Sequence, residues 1–199
     1  MVKQEPNLKF SQELEVFLKS KKSRSLQNLI DYFSAKSFAV LFLVLMIIPA
    51  LPLPTGGLTH IFEIIVMLLA LELIAGRKSV WLPQKWREKN LPSKLQTSAL
   101  PLLVKLIKKI EKFSRHRSGL IMSNTVSVRI MGLIIFVLAL FAFLAPPFSG
   151  LDTLPSLGIV LISLAMILED IVLGISGAVV GIIGIGSVIA LGKLVFQYI

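Results

Sequence analysis

The sequence predicts an all-α membrane fold: a polytopic helical protein with two proline- and glycine-broken helical hairpins and an amphipathic helix at the membrane surface. Three observations predict it. The chain of 199 residues is 55% hydrophobic and only 16% charged, with a mean hydropathy of +0.83, an apolar balance that ordinary soluble domains seldom reach. Its apolar residues gather in runs at 38–53, 61–75, 130–145, 155–168 and 171–192, separated by short breaks. Two stretches at or beside those breaks, 47–57 and 146–151, concentrate residues that stop helices or allow reversals. Several runs fall short of the roughly 20 residues that cross a bilayer core of about 30 Å as a straight helix, so re-entrant or barely spanning hairpins are expected.

Residues 1–36 form the first segment, a cytoplasmic or interfacial lead-in with seven cations and four acids. Ser25 is placed to cap a short helix whose apolar positions, Leu26, Leu29, Ile30 and Phe33, recur at helical spacing. The first apolar run begins only near Phe38, behind this polar stretch, so a cleaved leader is not expected.

Residues 37–76 are read as the first hairpin. Basic segments flank it on both sides, and the bias of Lys and Arg toward cytoplasmic loops puts its two ends on one side of the membrane. The chain therefore goes in and returns. Pro49, Pro52 and Pro54 end the first arm, Gly56 and Gly57 permit the reversal, and the stretch from Leu58 to Ala75 is the second arm. At about 15 residues an arm covers roughly 22 Å.

Residues 77–128 are a basic linker. Twelve of the chain's 21 Lys and Arg lie between Arg77 and Arg117 against two acids, a local excess equal to the whole net charge of +10. Nucleic-acid binding is not expected, because the aromatic interleaving of a strand-binding platform is missing; topology and attraction to anionic lipid account for the charge. Within the linker, Leu103, Leu106, Ile107, Ile110 and Phe113 are expected on one helical face, with Lys105, Lys108, Lys109 and Lys112 opposite or flanking it. That pattern predicts an interfacial helix with those four lysines contacting the membrane surface. A helix packed on its protein neighbours is the competing reading.

Residues 129–199 carry the second hairpin and a terminal helix rich in Gly and Ser, where Gly177-x-x-x-Gly181 invites close helix packing. Whether that packing joins two copies in a homo-oligomer or stays within one chain is not set by spacing. "VLFLVLMIIPALPLPTGGL" at 40–58 and "LIIFVLALFAFLAPPFSGL" at 133–151 share an apolar arm, prolines, a small polar residue and Gly-Leu, and both copies run on to carboxylates, Glu72 in one and Glu169 and Asp170 in the other. The two hairpins read as an internal repeat.

The order of "SLQNLIDYFSAKSF", "PALPLPTGG", "GRKSVWLP", a basic amphipathic middle, "FLAPPFSG" and "ILED" resembles the ExoD exopolysaccharide-synthesis family over most of residues 8–195. The resemblance implies a multi-pass protein of the bacterial inner membrane associated with exopolysaccharide production. It carries no established reaction and hence no catalytic residue. Ser149 departs from the pattern of the first tip, standing between Phe148 and Gly150.

Enzyme signatures are absent. There is no cysteine, so no thiol chemistry or thiolate metal site, and no phosphate-binding glycine loop or His-Glu-x-x-His motif. Neither His60 nor His116 has partners at metal-ligand spacing, and no cofactor or metal is expected. His60 and Glu63, three apart, are expected to form a polar pair near water at a helix start, and Asp152 to cap the arm that follows it. Ionisable groups inside apolar arms are different, since each costs on the order of 3 kcal/mol unless it faces a cavity or a partner.

Broken helices at matched places in two repeats point to a transport site, because freed backbone groups can bind a ligand there. The candidate substrate or ion site is accordingly Pro52, Pro54, Gly56, Glu63, Glu72, Arg129, Pro146, Pro147, Gly150, Glu169 and Asp170, with Arg129 as the internal counter-charge. The expectation is a non-enzymatic protein of the bilayer that assists movement of a lipid-linked or ionic substrate. Its rivals are a non-transporting scaffold contacting polysaccharide-assembly proteins, and a membrane enzyme acting on isoprenoid phosphate, which lacks a recognisable catalytic set.

Overall fold

In the computed structural model, which describes residues 9–19, 25–33, 36–51, 58–77, 80, 81, 83, 100–113, 124–146 and 149–197, every regular element is helical. Among the described residues there are eight helices and no strand: α1 (Phe10–Lys19), α2 (Leu26–Phe33), α3 (Ser37–Met46), α4 (Leu58–Ile74), α5 (Leu100–Phe113), α6 (Thr125–Leu144), α7 (Thr153–Leu168) and α8 (Ile171–Gln197).

Local signals set most of the helix ends. The Ser25 hydroxyl accepts from the Asn28 amide at 3.2 Å and starts α2, as its position predicts. Asn124 does the same for α6 through the Val126 amide at 3.0 Å. α6 stops at Ala145, whose ψ of 135° is the extended conformation favoured before a proline, here Pro146. At the end of α4, Gly76 adopts φ +82°, while its amide donates to Leu73 and that of Arg77 to Glu72. This is a Schellman closure, and it needs a residue that tolerates the left-handed region.

The core is built around α3. All ten of its residues are buried, as suits a helix apolar on every side, and it packs against α2, α4 and α7. α4 lies antiparallel along α6: His60 is beside Phe143, Gly132 beside Ala70 and Ile74, and Gly76 beside Arg129. α7 and α8 form a second antiparallel pair in backbone contact. A Cβ added to Gly158 would stand 2.8 Å from the Gly177 carbonyl and 2.9 Å from the Gly181 Cα, and one on Gly184 would meet Pro155 at 2.5 Å. Gly177 and Gly181 thus pack within the chain.

The outer surface is apolar. Ile61, Ile64, Leu68 and Leu71 of α4, Val126, Ile130 and Leu133 of α6, and Val172, Ile175, Val179, Ile182 and Ile189 of α8 are exposed, while Gly174, Gly177, Gly181 and Gly184 of α8 face inward. Two helices, Thr125–Leu144 and Ile171–Lys193, are long and apolar enough to cross a membrane. Continuous apolar stripes of this extent on the outside mark a membrane protein.

α5 departs from its expected face. Leu100, Leu103, Val104 and Ile107 are buried, whereas Leu106 is 42% exposed. The i, i+3, i+4, i+7 stripe that starts at Leu100 wins, because it covers the core more evenly than one turned toward Leu106; the side chain of Phe113 lies outside the described residues. α5 docks on α1, where the Glu111 carboxylate accepts from the Ser11 amide at 2.9 Å and its hydroxyl at 2.6 Å. Lys108 pairs with Glu15 at 2.6 Å. Lys105, Lys108, Lys109 and Lys112 are exposed.

Candidate functional site

The candidate residues divide between two ends of the helical assembly. Glu63, Pro146 and Gly150 lie where α4 begins, α6 ends and α7 begins. Pro52, Pro54, Gly56 and Pro147 lie outside the described residues. Glu72, Arg129, Glu169 and Asp170 lie at the opposite end; along α6 alone, the 14 residues from Arg129 to Phe143 span about 21 Å.

At that opposite end the polar groups hold backbone. Glu72 accepts from the Trp81 amide at 2.8 Å, tying the exit of the first hairpin region to α4, and the Arg77 guanidinium lies 5.9 Å from the centre of the Trp81 ring. Arg129 is exposed and lies against Gly76. Glu169 adopts φ 54° between α7 and α8, and the Asp170 carboxylate accepts from the Val172 amide at 3.0 Å, capping α8. These groups shape turns.

The other end is built differently. His60 Nδ1 stands 2.8 Å from Glu63 Oε2, one helical turn apart on α4; the imidazole is 24% exposed and the carboxylate 0%. The edge of the His60 ring meets Phe143 of α6 with centroids 5.3 Å apart, which fixes the imidazole over the buried acid. Glu63 is therefore not the near-water group expected from its place by a helix start: the neighbouring helices close over it. Its second oxygen, Oε1, is buried without a hydrogen-bond partner among the described residues.

Asp152 completes the group from a third element. Its charge is felt by both His60 and Glu63, although sequence reasoning gave it only the role of a cap. It sits at the N-cap of α7 but makes no side-chain capping bond, because its backbone is already right-handed helical (φ −66°, ψ −21°) and not in the extended conformation from which a cap reaches back. One turn further on, Ser156 is fully buried and its hydroxyl has no hydrogen-bond partner among the described residues. The expected pairing of His60 with Glu63 is present, whereas Asp152 was read only as a cap and Ser156 was not singled out; the available signal was that His60 and Glu63 follow one Pro/Gly-rich segment and Asp152 and Ser156 the other.

A buried acid, an imidazole bridging it to the surface and a second acid can hold or pass a proton, or balance a cationic or hydrogen-bond-donating ligand. Among the described residues no three His, Asp or Glu are placed to hold a metal ion.

Fold and site together define a helical membrane protein with a buried acid near the start of α4, where α6 ends and α7 begins. The chain belongs to the ExoD family: the family described as "Exopolysaccharide synthesis, ExoD" matches residues 10–190. That membership associates it with exopolysaccharide synthesis. It is 26% identical over 154 residues to an uncharacterised protein of Synechocystis sp., an alignment covering 76% of this chain and 72% of that protein. No solved structure matches.

Proposed function

We propose that this is a multi-pass protein of the bacterial inner membrane that acts in exopolysaccharide synthesis without catalysing a reaction, by helping a lipid-linked or ionic substrate past a site between two hairpins related as an internal repeat. The observation that carries this reading is Glu63: a fully buried acid with an unpartnered oxygen, at the place where the flanks of both broken segments converge. A buried group of this kind in a membrane protein is costly to keep and is a functional-site hypothesis by default.

The packing supports the repeat. If α3 and α4 correspond to α6 and α7, the contacts within each pair, α3 on α4 and α6 on α7, match one another, as do the cross contacts α3 on α7 and α4 on α6.

The test is reconstitution of the full chain in vesicles. A fluorescent isoprenyl-phosphate-linked sugar, scored with an impermeant quencher, and an entrapped pH dye report the two substrate classes. Wild type accelerates one of the two fluxes, and the triple variant His60→Gln, Glu63→Gln, Asp152→Asn falls to the protein-free rate. Equal flux from wild type and triple variant defeats the transport reading.

The scaffold reading has one observation in its favour. With Glu111 held by Ser11, the exposed positions of α5 are dominated by lysines, with Leu102 and Leu106 among them. Such a face suits anionic headgroups or an acidic partner. Crosslinking from Lys105 or Lys109 to a polysaccharide-assembly protein, together with no flux from the purified chain, would establish it.

A further inference from the structure

We propose that Glu63 is a reversible proton-binding site served by His60 as a relay from the surface. The inference rests on the transport reading for its purpose and on four observations of its own. Glu63 is completely buried, and His60 is the partly exposed group in contact with it, at 2.8 Å. Glu63 Oε1 has no hydrogen-bond partner among the described residues. Phe143 holds the imidazole against the acid. No three acids or histidines are placed for a metal ion among the described residues, and a proton needs no coordination shell.

The step balances simply. In the empty form neutral His60 donates Nδ1–H to the Glu63 carboxylate. A proton from water adds at Nε2, the Nδ1 proton passes to Oε2, and His60 ends neutral as the Nε2–H tautomer beside a neutral carboxylic acid. One proton enters, no bond between heavy atoms changes, and the 2.8 Å hydrogen bond persists with its direction reversed. Release runs the sequence backward, by the same atoms.

The charged surroundings are few. α3 carries no ionisable side chain, and α6 carries only Arg129, at its far end. Asp152, at the start of α7, is the other acid that acts on the pair. The segment 51–57 contains no titratable residue.

The experiment is pH-difference infrared spectroscopy of the full chain in liposomes, grown with ¹³C-glutamate so that Glu and Asp carboxyl bands separate. The expected result is a carboxylic-acid C=O band that titrates, carries the isotope shift, disappears in Glu63→Gln and remains in Glu72→Gln. In His60→Phe the band appears about a hundredfold more slowly after a pH jump, the scale of a lost proton-transfer group. Glu63→Asp, which keeps the carboxyl group should the amide variant fold poorly, moves the band to the unlabelled frequency. The proposal falls if no labelled band titrates, if the band survives in Glu63→Gln or keeps its isotope shift in Glu63→Asp, if His60→Phe leaves the rate unchanged, or if sodium at constant pH abolishes it, which would make the ligand a metal cation. Titration without flux in the vesicle assay sinks the transport reading alone; flux without titration sinks the proton site alone.

Discussion

Gly76 turns the chain out of α4 at φ +82°, a conformation that costs an L-residue about 1–2 kcal/mol. A Cβ there would also lie 2.6 Å from the Arg129 guanidinium, but that group ends a flexible side chain and can move. Gly76→Ala is therefore expected to lower thermal stability in detergent by about 1–2 kcal/mol, mostly through backbone strain. Adding Arg129→Ala should restore little of it; full recovery in the double variant would show that the clash dominates. At this scale the sequence was uneven in what it disclosed. Glu63 was legible, because an acid within an apolar arm stands out. Asp152 was not, because Asp followed by Thr and Pro has an adequate local explanation as a cap, and only the packing of α4, α6 and α7 brings it to His60.

Among elements, α1 owes its start to a residue a hundred positions away. Ser11 is the second residue of α1, and its amide is one of the donors left open at a helix N-terminus; the Glu111 carboxylate fills it and takes the Ser11 hydroxyl as well. Glu111→Ala is expected to destabilise the contact between α1 and α5 by about 1–2 kcal/mol, the range for losing a cap, read as faster amide exchange in residues 10–14 without change in α8. The pairing of α7 with α8 is stricter. Gly158 meets backbone of Gly177 and Gly181, and backbone cannot swing aside. Gly158→Val should cost about 3 kcal/mol or more, the upper range for overpacking, and lower the yield of folded protein; a yield equal to wild type would refute the close contact. Helix existence was legible from apolar runs and prolines. Which helices face lipid was not: α3 is as apolar as any of them, and hydropathy does not distinguish a neighbour of protein from a neighbour of acyl chains.

For the whole molecule, the absence of cysteine allows single probes to be placed without background. With a tip sheltered at depth, Gly150→Cys should react with an impermeant maleimide at least about tenfold more slowly in a bilayer than in detergent, whereas Trp81→Cys, at a site 60% exposed, should react at similar rates in both. Fast labelling of Gly150→Cys from the face opposite to Trp81→Cys would mean a full crossing. The family was readable from the order of motifs, and the all-helical character from the apolar runs. The separation of the acidic candidates into two ends was not, since it depends on α4 running antiparallel to α6.

Only Glu169 and Asp170 join α7 to α8, and the glycine contacts leave no compliant layer between them. The two helices must then move as one rigid body, since close-packed interiors transmit displacement and do not absorb it. α8, about 40 Å long for its 27 residues, exceeds the hydrocarbon thickness and responds to it by tilting. Asp152 stands at the start of α7, so a displacement of that rigid pair is carried to the charges around Glu63.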